Sequence, residues 1–169
     1  MPKRSGFPTL TLEEGKRIFN KIKKQLPFSA YEAGSIKRKS PTLNDIDIII
    51  IPGTRDLTNI MLSIFDKIEK FGEQIINGVY YYNDKPVMID FFITTRKELP
   101  YSMLQWTGPK TYNIRIRRYI KDKYGWLLNQ HGLFYHGTDR RVPGTSNFKT
   151  EKEIINFIGT TYYKPWERK

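Results

Sequence analysis

The most constraining feature of this chain is an aliphatic run that carries two aspartates one residue apart. Within residues 44–51, Asp45 and Asp47 interrupt a series of isoleucines. Side chains alternate between the two faces of a β-strand, so both carboxylates are expected on one face and the isoleucines of the other face in a core. An ordinary buried strand would not carry this pair. The run therefore predicts a strand with a cation-binding face.

A glycine-serine pair upstream predicts an anion-binding turn beside this strand. Gly34 and Ser35 favour a tight turn with exposed backbone N–H groups and a hydroxyl. Arg38 follows with a rigid fork of donors that suits phosphate oxygens. We therefore expect an anion site and a cation site next to each other.

A third acid occurs in a second strand-like segment. Asp90 is the single charge in residues 86–93, where burial of an unpaired carboxylate would be costly. If this strand lies beside the first, Asp45, Asp47 and Asp90 converge as hard oxygen ligands of the kind that Mg²⁺ accepts. Two such ions would support phosphoryl or nucleotidyl transfer. The alternative is that all three acids are solvated residues at strand ends.

The charge balance indicates a polyanionic partner. The 169 residues include 29 Lys and Arg against 17 Asp and Glu, a formal net charge of +12. With three central acids, a nucleic acid is a better partner than a membrane, although a basic surface can also be merely solvated. Cysteine is absent, which excludes disulfides and thiolate zinc sites, and two histidines are too few for a histidine metal cluster.

Targeting and membrane signals are missing from the sequence. No apolar stretch reaches the roughly twenty residues of a transmembrane helix, and residues 1–7 are not followed by a signal-peptide core. We expect a soluble intracellular protein, located in the host cytoplasm or the virion if it is viral.

Periodicity predicts a mixture of helices and strands. The predicted helices cover 11–26 behind a Thr11 capping box, 57 to about 72, 99–106, 110–124 and 154–158. The predicted strands cover 28–32, 46–51 and 86–93, with one hairpin turning at Asn77-Gly78 and another around Gly137-Thr138-Asp139. Pro109 is expected at the start of the fourth helix.

The helix predicted over 110–124 is strongly basic. Asn113, Arg117 and Lys121 follow one another at four-residue steps, opposite an apolar stripe, with Arg115 and Arg118 at the flanks. This row suits phosphates or base edges. Solvated charge is the competing interpretation.

Taken together, these motifs resemble those of the DNA polymerase β-like nucleotidyltransferases, and within them the family X DNA polymerases. The superfamily features are the Gly-Ser-x-x-Arg turn at 34–38, the Asp-x-Asp pair at 45–47 and the third acid Asp90. The more specific features are Trp106-Thr107-Gly108-Pro109 before Asn113 and Arg117, residues 128–134, Thr150-Glu151-Lys152-Glu153, and Tyr163-x-Pro165-x-x-Arg168. The small size is similar to that of a minimal viral member.

The resemblance implies an α+β fold in two domains. Residues 1–97 would form the catalytic nucleotidyltransferase palm, with a mixed β-sheet and flanking helices. Residues 98–169 would form a small α+β C-terminal domain that binds nucleotide and DNA.

The resemblance also implies roles for individual residues. Asp45, Asp47 and Asp90 would be both catalytic and metal-binding, with two Mg²⁺ ions that Mn²⁺ can replace. The nucleotide-binding residues would be Gly34, Ser35, Arg38, Gly108 and Asn113, and the DNA-binding residues Arg117, Arg115 and Lys121. Gln105-Trp106 stands where relatives often carry an aromatic pair, which implies a difference in sugar discrimination and fidelity.

The predicted function is template-directed DNA synthesis from dNTPs by a two-metal mechanism. We expect a monomer that fills short gaps in gapped or primer-template DNA during repair, including error-prone synthesis, and has no membrane partner. One alternative is a template-independent nucleotidyltransferase that acts on RNA, protein or a small molecule. An alternative of another class is a non-catalytic nucleic-acid-binding module.

Overall fold

A computed structural model describes residues 6–169 of the chain, in two compact units divided between Thr94 and Thr95. Residues 1–5 lie outside the described residues. They belong to the segment 1–7, which in the sequence is not followed by a signal-peptide core. Each unit combines helices and strands, which confirms the predicted α+β class. The functional assignment of the units, with its predicted boundary after residue 97, stays a prediction. Within the described residues, no helix has the length and apolar character that crossing a membrane requires.

The first unit is built on a five-stranded mixed sheet. The strands run in the order β2-β4-β7-β6-β5, with β4 and β7 parallel and the other pairs antiparallel. Its elements are β1 (Leu10–Thr11), α1 (Leu12–Gln25), β2 (Ser29–Glu32), α2 (Gly34–Lys37), β3 (Thr42–Leu43), β4 (Ile46–Ile51), α3 (Thr58–Ile64), β5 (Lys67–Phe71), β6 (Ile75–Tyr82) and β7 (Lys85–Ile93). β1 and β3 form a separate two-stranded pair.

Helices α1 and α3 share one hydrophobic core with the sheet. The Thr11 side chain and Glu14 form the predicted reciprocal capping box, and α1 ends before Leu26. Ile18 and Ile22 of α1 and Met61 of α3 pack in the same buried cluster as isoleucines of β4. The apolar stripe read from the sequence therefore places α1 correctly.

The second predicted helix is wrong beyond Ile64. Phe65 adopts an extended conformation, and residues 67–71 form the edge strand β5 against β6. The Asp66 carboxylate accepts a hydrogen bond from the Tyr81 backbone N–H at 2.8 Å, which fixes the start of this pairing. Ile68 still packs against the core, but from a strand, so it satisfied the helical pattern by coincidence.

The hairpin predicted at Asn77-Gly78 is also wrong, because β6 runs through both residues. A Cβ at Gly78 would collide with the Lys67 carbonyl and the Phe65 ring, so the glycine serves close packing of β5 on β6. The sequence also predicts a turn at Asn83-Asp84 before the strand of Asp90, and this turn is present between β6 and β7, with positive φ at both residues.

The second unit consists of three helices, a short hairpin and a 3₁₀ turn. Its elements are α4 (Leu99–Thr107), α5 (Lys110–Tyr124), β8 (Trp126–Asn129), β9 (Gly132–Tyr135), α6 (Glu151–Ile158) and the 3₁₀ turn Pro165–Glu167. Pro109 is the N-cap of α5, and the Gly108-Pro109 peptide bond is cis. The strands β8 and β9 turn at Gln130-His131, and the predicted hairpin around Gly137 is present only as a short antiparallel bridge between Phe134 and Arg141, where the Val142 N–H donates to the Leu133 carbonyl at 2.9 Å.

Candidate active site

Sheet register in the first unit places Asp47 and Asp90 side by side. Alternate residues of β4 and β7, among them Ile48 and Phe91, belong to the hydrophobic core, so Asp47 and Asp90 lie on the opposite sheet face. The two aspartates are direct partners in the parallel pairing of the strands. Two residues 43 positions apart in sequence thus become neighbours on one face, as the sequence predicted.

The environment of this pair favours a cation. Asp90 is only 7% exposed, and Asp47 is half-buried. Neighbouring strands are about 4.8 Å apart, so two ionised carboxylates in register repel each other. Carboxylate oxygens are also the donors that hard divalent ions prefer. The donor set therefore fits a divalent cation.

Asp45 lies outside the paired strand that carries Asp47. It precedes β4 by one residue and is half-buried. Among residues 6–169, no group of three or more His, Cys, Asp or Glu side chains is arranged so that it could hold a metal ion. The structure thus brings Asp47 and Asp90 together, and it does not bring Asp45 into a three-carboxylate cluster with them.

The Gly-Ser turn packs directly against Asp47. Gly34 has φ +54°, and a Cβ built there would overlap the Asp47 carboxylate, so a glycine is required on both counts. The Ala33 N–H donates to the Asp47 carbonyl at 3.1 Å, which continues the β2–β4 pairing into the turn. The predicted anion turn and the predicted acid strand are therefore in contact.

Ser35 and Arg38 are linked within this turn. The Arg38 Nη2 donates to the Ser35 Oγ at 3.1 Å, and both residues are half-buried. Such a bond restricts the guanidinium without using all of its five donors. The turn thus carries a partly restrained guanidinium next to the strand that bears Asp47.

Gln105 of α4 holds Asn113 and Arg117, two of the residues predicted to bind nucleotide and DNA in the second unit. The Asn113 amide donates to the Gln105 carbonyl at 2.9 Å, and the Arg117 guanidinium donates to the Gln105 side-chain oxygen. Asn113 and Arg117 lie one turn apart on α5, as their spacing predicted. Gly108, with φ +63°, ends α4 just before this helix.

Comparison with known proteins finds matches to part of the second unit and to nearly the whole chain. A family model described as DNA polymerase beta thumb matches residues 102–169. Repair DNA polymerase X of African swine fever virus is 33% identical over 177 aligned positions, which cover 94% of this chain and 99% of that protein. The chain belongs to the family X DNA polymerases.

Other relatives agree with the assignment of this family X polymerase. DNA nucleotidylexotransferase of Xenopus laevis is 33% identical over 86 residues, 51% of this chain and 16% of that protein. Polymerase beta of Leishmania infantum, in its ternary P/T complex, has the same fold with a TM-score of 0.82 at 22% identity, covering 96% of this chain and 77% of that one.

Arg115 and Lys121 of the polymerase do not join Asn113. Arg115 donates to the Lys169 carbonyl at 3.0 Å and lines a cavity of about 560 Å³ between α5 and residues 160–169. Lys121 lines another cavity, of about 340 Å³, with Arg117 and His136. The basic residues of α5 therefore point to more than one side of the helix, which the flanking position of Arg115 in the sequence already indicated.

The sequence predicts the buried stripe of α5 that contains Tyr112, but it did not predict that Gln105 holds this helix in place. Gln105 was noted only as a departure from relatives, and its position two residues before Thr107-Gly108 was the available signal. Tyr112, next to Asn113, is 2% exposed, and burial raises the pKa of its phenol. Its hydroxyl has no hydrogen-bond partner among residues 6–169. The residue that precedes Asn113 in α5 is thus a buried, neutral phenol.

Proposed function

We propose that this family X polymerase carries out template-directed DNA synthesis, adding dNTPs to a primer 3′-hydroxyl, and that it fills short gaps during repair. The observation that carries the proposal is the paired register of Asp47 and Asp90 on one sheet face, with the Gly34 turn packed against Asp47. Acids that bind cations and a turn that binds phosphate are the two requirements of nucleotidyl transfer.

Asp47 and Asp90, together with Asp45, would hold divalent ions, with Mg²⁺ as the natural choice for oxygen ligands beside phosphates. When bound, such ions lower the pKa of a hydroxyl nucleophile and neutralise charge on the triphosphate. Asp47 and Asp90 are direct partners in the sheet, and Asp45, one residue before β4, would complete the set of ligands.

The first unit would also bind the triphosphate of the incoming dNTP. Gly34 and Ser35 supply a turn next to the acids, and Arg38 supplies a guanidinium that the Ser35 hydroxyl already restrains. Restraint before binding reduces the entropy lost on binding. The bound site would then contain a set of alternating charges: the negative phosphate oxygens, the positive Arg38 guanidinium and the negative carboxylates.

The second unit would bind the nucleotide and the DNA. Asn113 and Gly108 would contact the incoming nucleotide, and Arg117 the DNA near the template base. Arg115 and Lys121 would meet phosphates from other sides of α5. The net charge of +12 supports a DNA partner, as do the repair polymerase X among the relatives and the ternary gap complex of the Leishmania infantum enzyme. We propose that the protein acts as a monomer.

The decisive experiment compares three aspartate-to-asparagine variants in a one-nucleotide gap-filling assay with Mg²⁺. Asp47→Asn and Asp90→Asn should each lower kcat by about 10³-fold, because several kcal/mol of ion-dependent stabilisation are lost. Asp84→Asn is the matched control. It makes the same chemical change in an exposed turn at φ +63°, which asparagine tolerates, and should keep full activity.

Three outcomes separate the competing functions. Equal activity of Asp47→Asn, Asp90→Asn and Asp84→Asn would refute the ion-dependent mechanism. Extension of a single-stranded primer without template would favour template-independent transfer. Tight DNA binding by a wild-type protein that extends no primer at any Mg²⁺ concentration would favour a non-catalytic binding module.

A further inference from the structure

Three sequence motifs that are far apart in the chain meet at one buried arginine of the second unit. Arg168, from the Tyr163-x-Pro165-x-x-Arg168 motif, has a side chain with 0% exposure. A buried guanidinium is costly unless it is paired and hydrogen-bonded. The contacts of Arg168 should therefore show which segments of the unit it stabilises.

The guanidinium contacts three separate segments. Its Nη1 lies 3.2 Å from the Glu151 carboxylate in the first turn of α6, where Glu151 is 8% exposed. The same Nη1 donates to the Gly108 carbonyl at 3.5 Å, at the junction of α4 and α5. The guanidinium carbon also lies 4.8 Å from the centre of the Tyr112 ring, in the first turn of α5. Arg168 thus links α6 to the start of α5.

The anchor side of this link is rigid. Thr150 and Glu153 form a reciprocal capping box at the N-terminus of α6, one residue before Glu151. The Arg168 Nε also donates to the Tyr163 carbonyl at 3.1 Å, which holds the arginine stem in place. Glu151 and Arg168 are therefore each held by contacts that do not involve Gly108.

At the Gly108 side, Gln105 of α4 holds Asn113 and Arg117, but the first turn of α5 has no capping box of its own. Pro109, the N-cap of α5, makes no side-chain capping bond, and Gly108 has a backbone conformation without side-chain restraint. The contacts of Arg168 with the Gly108 carbonyl and the Tyr112 ring thus fix the entry to the helix that carries Asn113. Capping normally does this work from within the sequence of the helix itself.

We propose that Arg168 is a positioning residue for nucleotide binding, which holds Gly108 and the first turn of α5 in the geometry that Asn113 needs. This inference rests on the proposed function, in which Gly108 and Asn113 contact the incoming nucleotide. Charge alone would not suffice, because Nη1 contacts Glu151 and the Gly108 carbonyl while Nε of the same planar group donates to the Tyr163 carbonyl, and the ammonium of lysine offers a single point charge without that second nitrogen.

Steady-state gap filling with Arg168→Lys tests the proposal. The KM for dNTP should rise about tenfold, the effect of losing one hydrogen bond from a charged donor, with a smaller change in kcat. The dissociation constant for gapped DNA, measured without dNTP by fluorescence anisotropy, should stay within about twofold, since Arg117 and Lys121 are untouched. Glu151→Gln, which keeps an acceptor but removes the ion pair, should raise the KM less than Arg168→Lys.

Ile158→Val is the matched control for general loosening of the unit. Ile158 is a fully buried residue of the same helix, α6, and belongs to the hydrophobic core of the second unit. Its removal of one methyl group should lower the melting temperature and leave the KM for dNTP unchanged. A KM that rises equally in Ile158→Val and Arg168→Lys, or stays constant in Arg168→Lys, would overturn the proposal.

Hydrogen exchange provides a readout that does not depend on activity. The Asn113 amide, which donates to the Pro109 carbonyl and closes the first turn of α5, should exchange about tenfold faster in Arg168→Lys, while residues 116–124 should be unchanged. If wild type extends no primer, the proposed function fails, and this exchange pattern alone decides whether Arg168 fixes the junction. If exchange were uniformly faster across the whole second unit, the variant would be folding poorly as a whole, and a positioning role for Arg168 would be refuted.

Discussion

The two units hold their polar residues by different physical means. In the first unit, backbone pairing places Asp47 beside Asp90, and a glycine turn contacts Asp47. In the second unit, side-chain bonds do the placing, since Gln105 holds Asn113 and Arg117, and Arg168 holds Gly108. A sheet resists distant changes because each hydrogen bond is supported by its neighbours, whereas a chain of side-chain contacts depends on each member.

This difference predicts where mutations should act. In the first unit, function should be lost when a polar group or the turn glycine is itself changed. In the second unit, residues far from Asn113 in sequence should also matter, because they carry the contacts that orient α5. Pairs of matched substitutions can break or sharpen this contrast.

The largest effect on stability is expected for Gly34→Ala compared with Gly53→Ala. Both glycines have positive φ, +54° and +65°, so both substitutions carry a backbone penalty of about 1 kcal/mol. Only at Gly34 would the new methyl group also overlap the Asp47 carboxylate, whereas the space at Gly53 is open. Gly34→Ala should therefore cost about 1–3 kcal/mol more, as overpacking does, and should weaken dNTP binding.

Chemical denaturation of the full chain measures the first part of this prediction, and the KM for dNTP the second. Gly53→Ala should retain the wild-type KM. Equal losses of stability for the two variants would show that the turn can move away from Asp47, and the description of the first unit as fixed by its backbone would then be wrong.

The candidate site residues of the first unit could be predicted from the sequence because the relevant signals are local and periodic. Asp45, Asp47 and Asp90 interrupt strand patterns, and Gly34-Ser35 is a short motif, so each can be recognised without its partners. The pairing of Asp47 with Asp90 then follows from the parallel sheet. The precise placement of Asp45 did not follow, since it lies just outside the strand.

The errors have a common physical origin in tertiary contacts. Residues 65–71 were predicted to continue a helix, yet pairing with β6 makes Lys67–Phe71 a strand, and Gly78 permits the close approach of that strand. Asn77-Gly78 is a strong turn signal locally, but burial of Ile76 in the core favours a continuous strand. The Arg168–Glu151–Gly108 contacts span 60 residues, and no local pattern reports them.

A second comparison lies within the second unit, between two tyrosines that are each 2% exposed. The Tyr101 hydroxyl donates to the Thr145 carbonyl at 2.5 Å, whereas the Tyr112 hydroxyl has no partner among residues 6–169. Tyr101→Phe should therefore cost about 1–3 kcal/mol, because it leaves a buried carbonyl unsatisfied. Tyr112→Phe should change stability by less than about 0.5 kcal/mol or increase it. Equal costs would mean that Tyr112 has an undetected partner.

The same tyrosines predict a decline of stability at high pH. Burial raises the pKa of Tyr101 and of Tyr112 above the usual value of 10.0. The folded state then keeps protons that the unfolded state loses above a pH of about 10, so stability is complete below that pH and falls as the pH rises beyond it. Melting temperatures between about pH 8 and 11 should fall less steeply for Tyr112→Phe than for wild type.

The smallest expected effect compares one helix cap in each unit. Thr11→Ala and Thr150→Ala each remove a reciprocal capping box, and each should cost about 1 kcal/mol in thermal or chemical denaturation. Their functional effects should differ. Thr150 precedes Glu151, which pairs with Arg168, so its loss should raise the KM for dNTP about twofold through a looser anchor, while Thr11→Ala should not. A wild-type KM in Thr150→Ala, with the full loss of stability, would show that the anchor tolerates fraying of α6 and that the chain of contacts begins at Glu151.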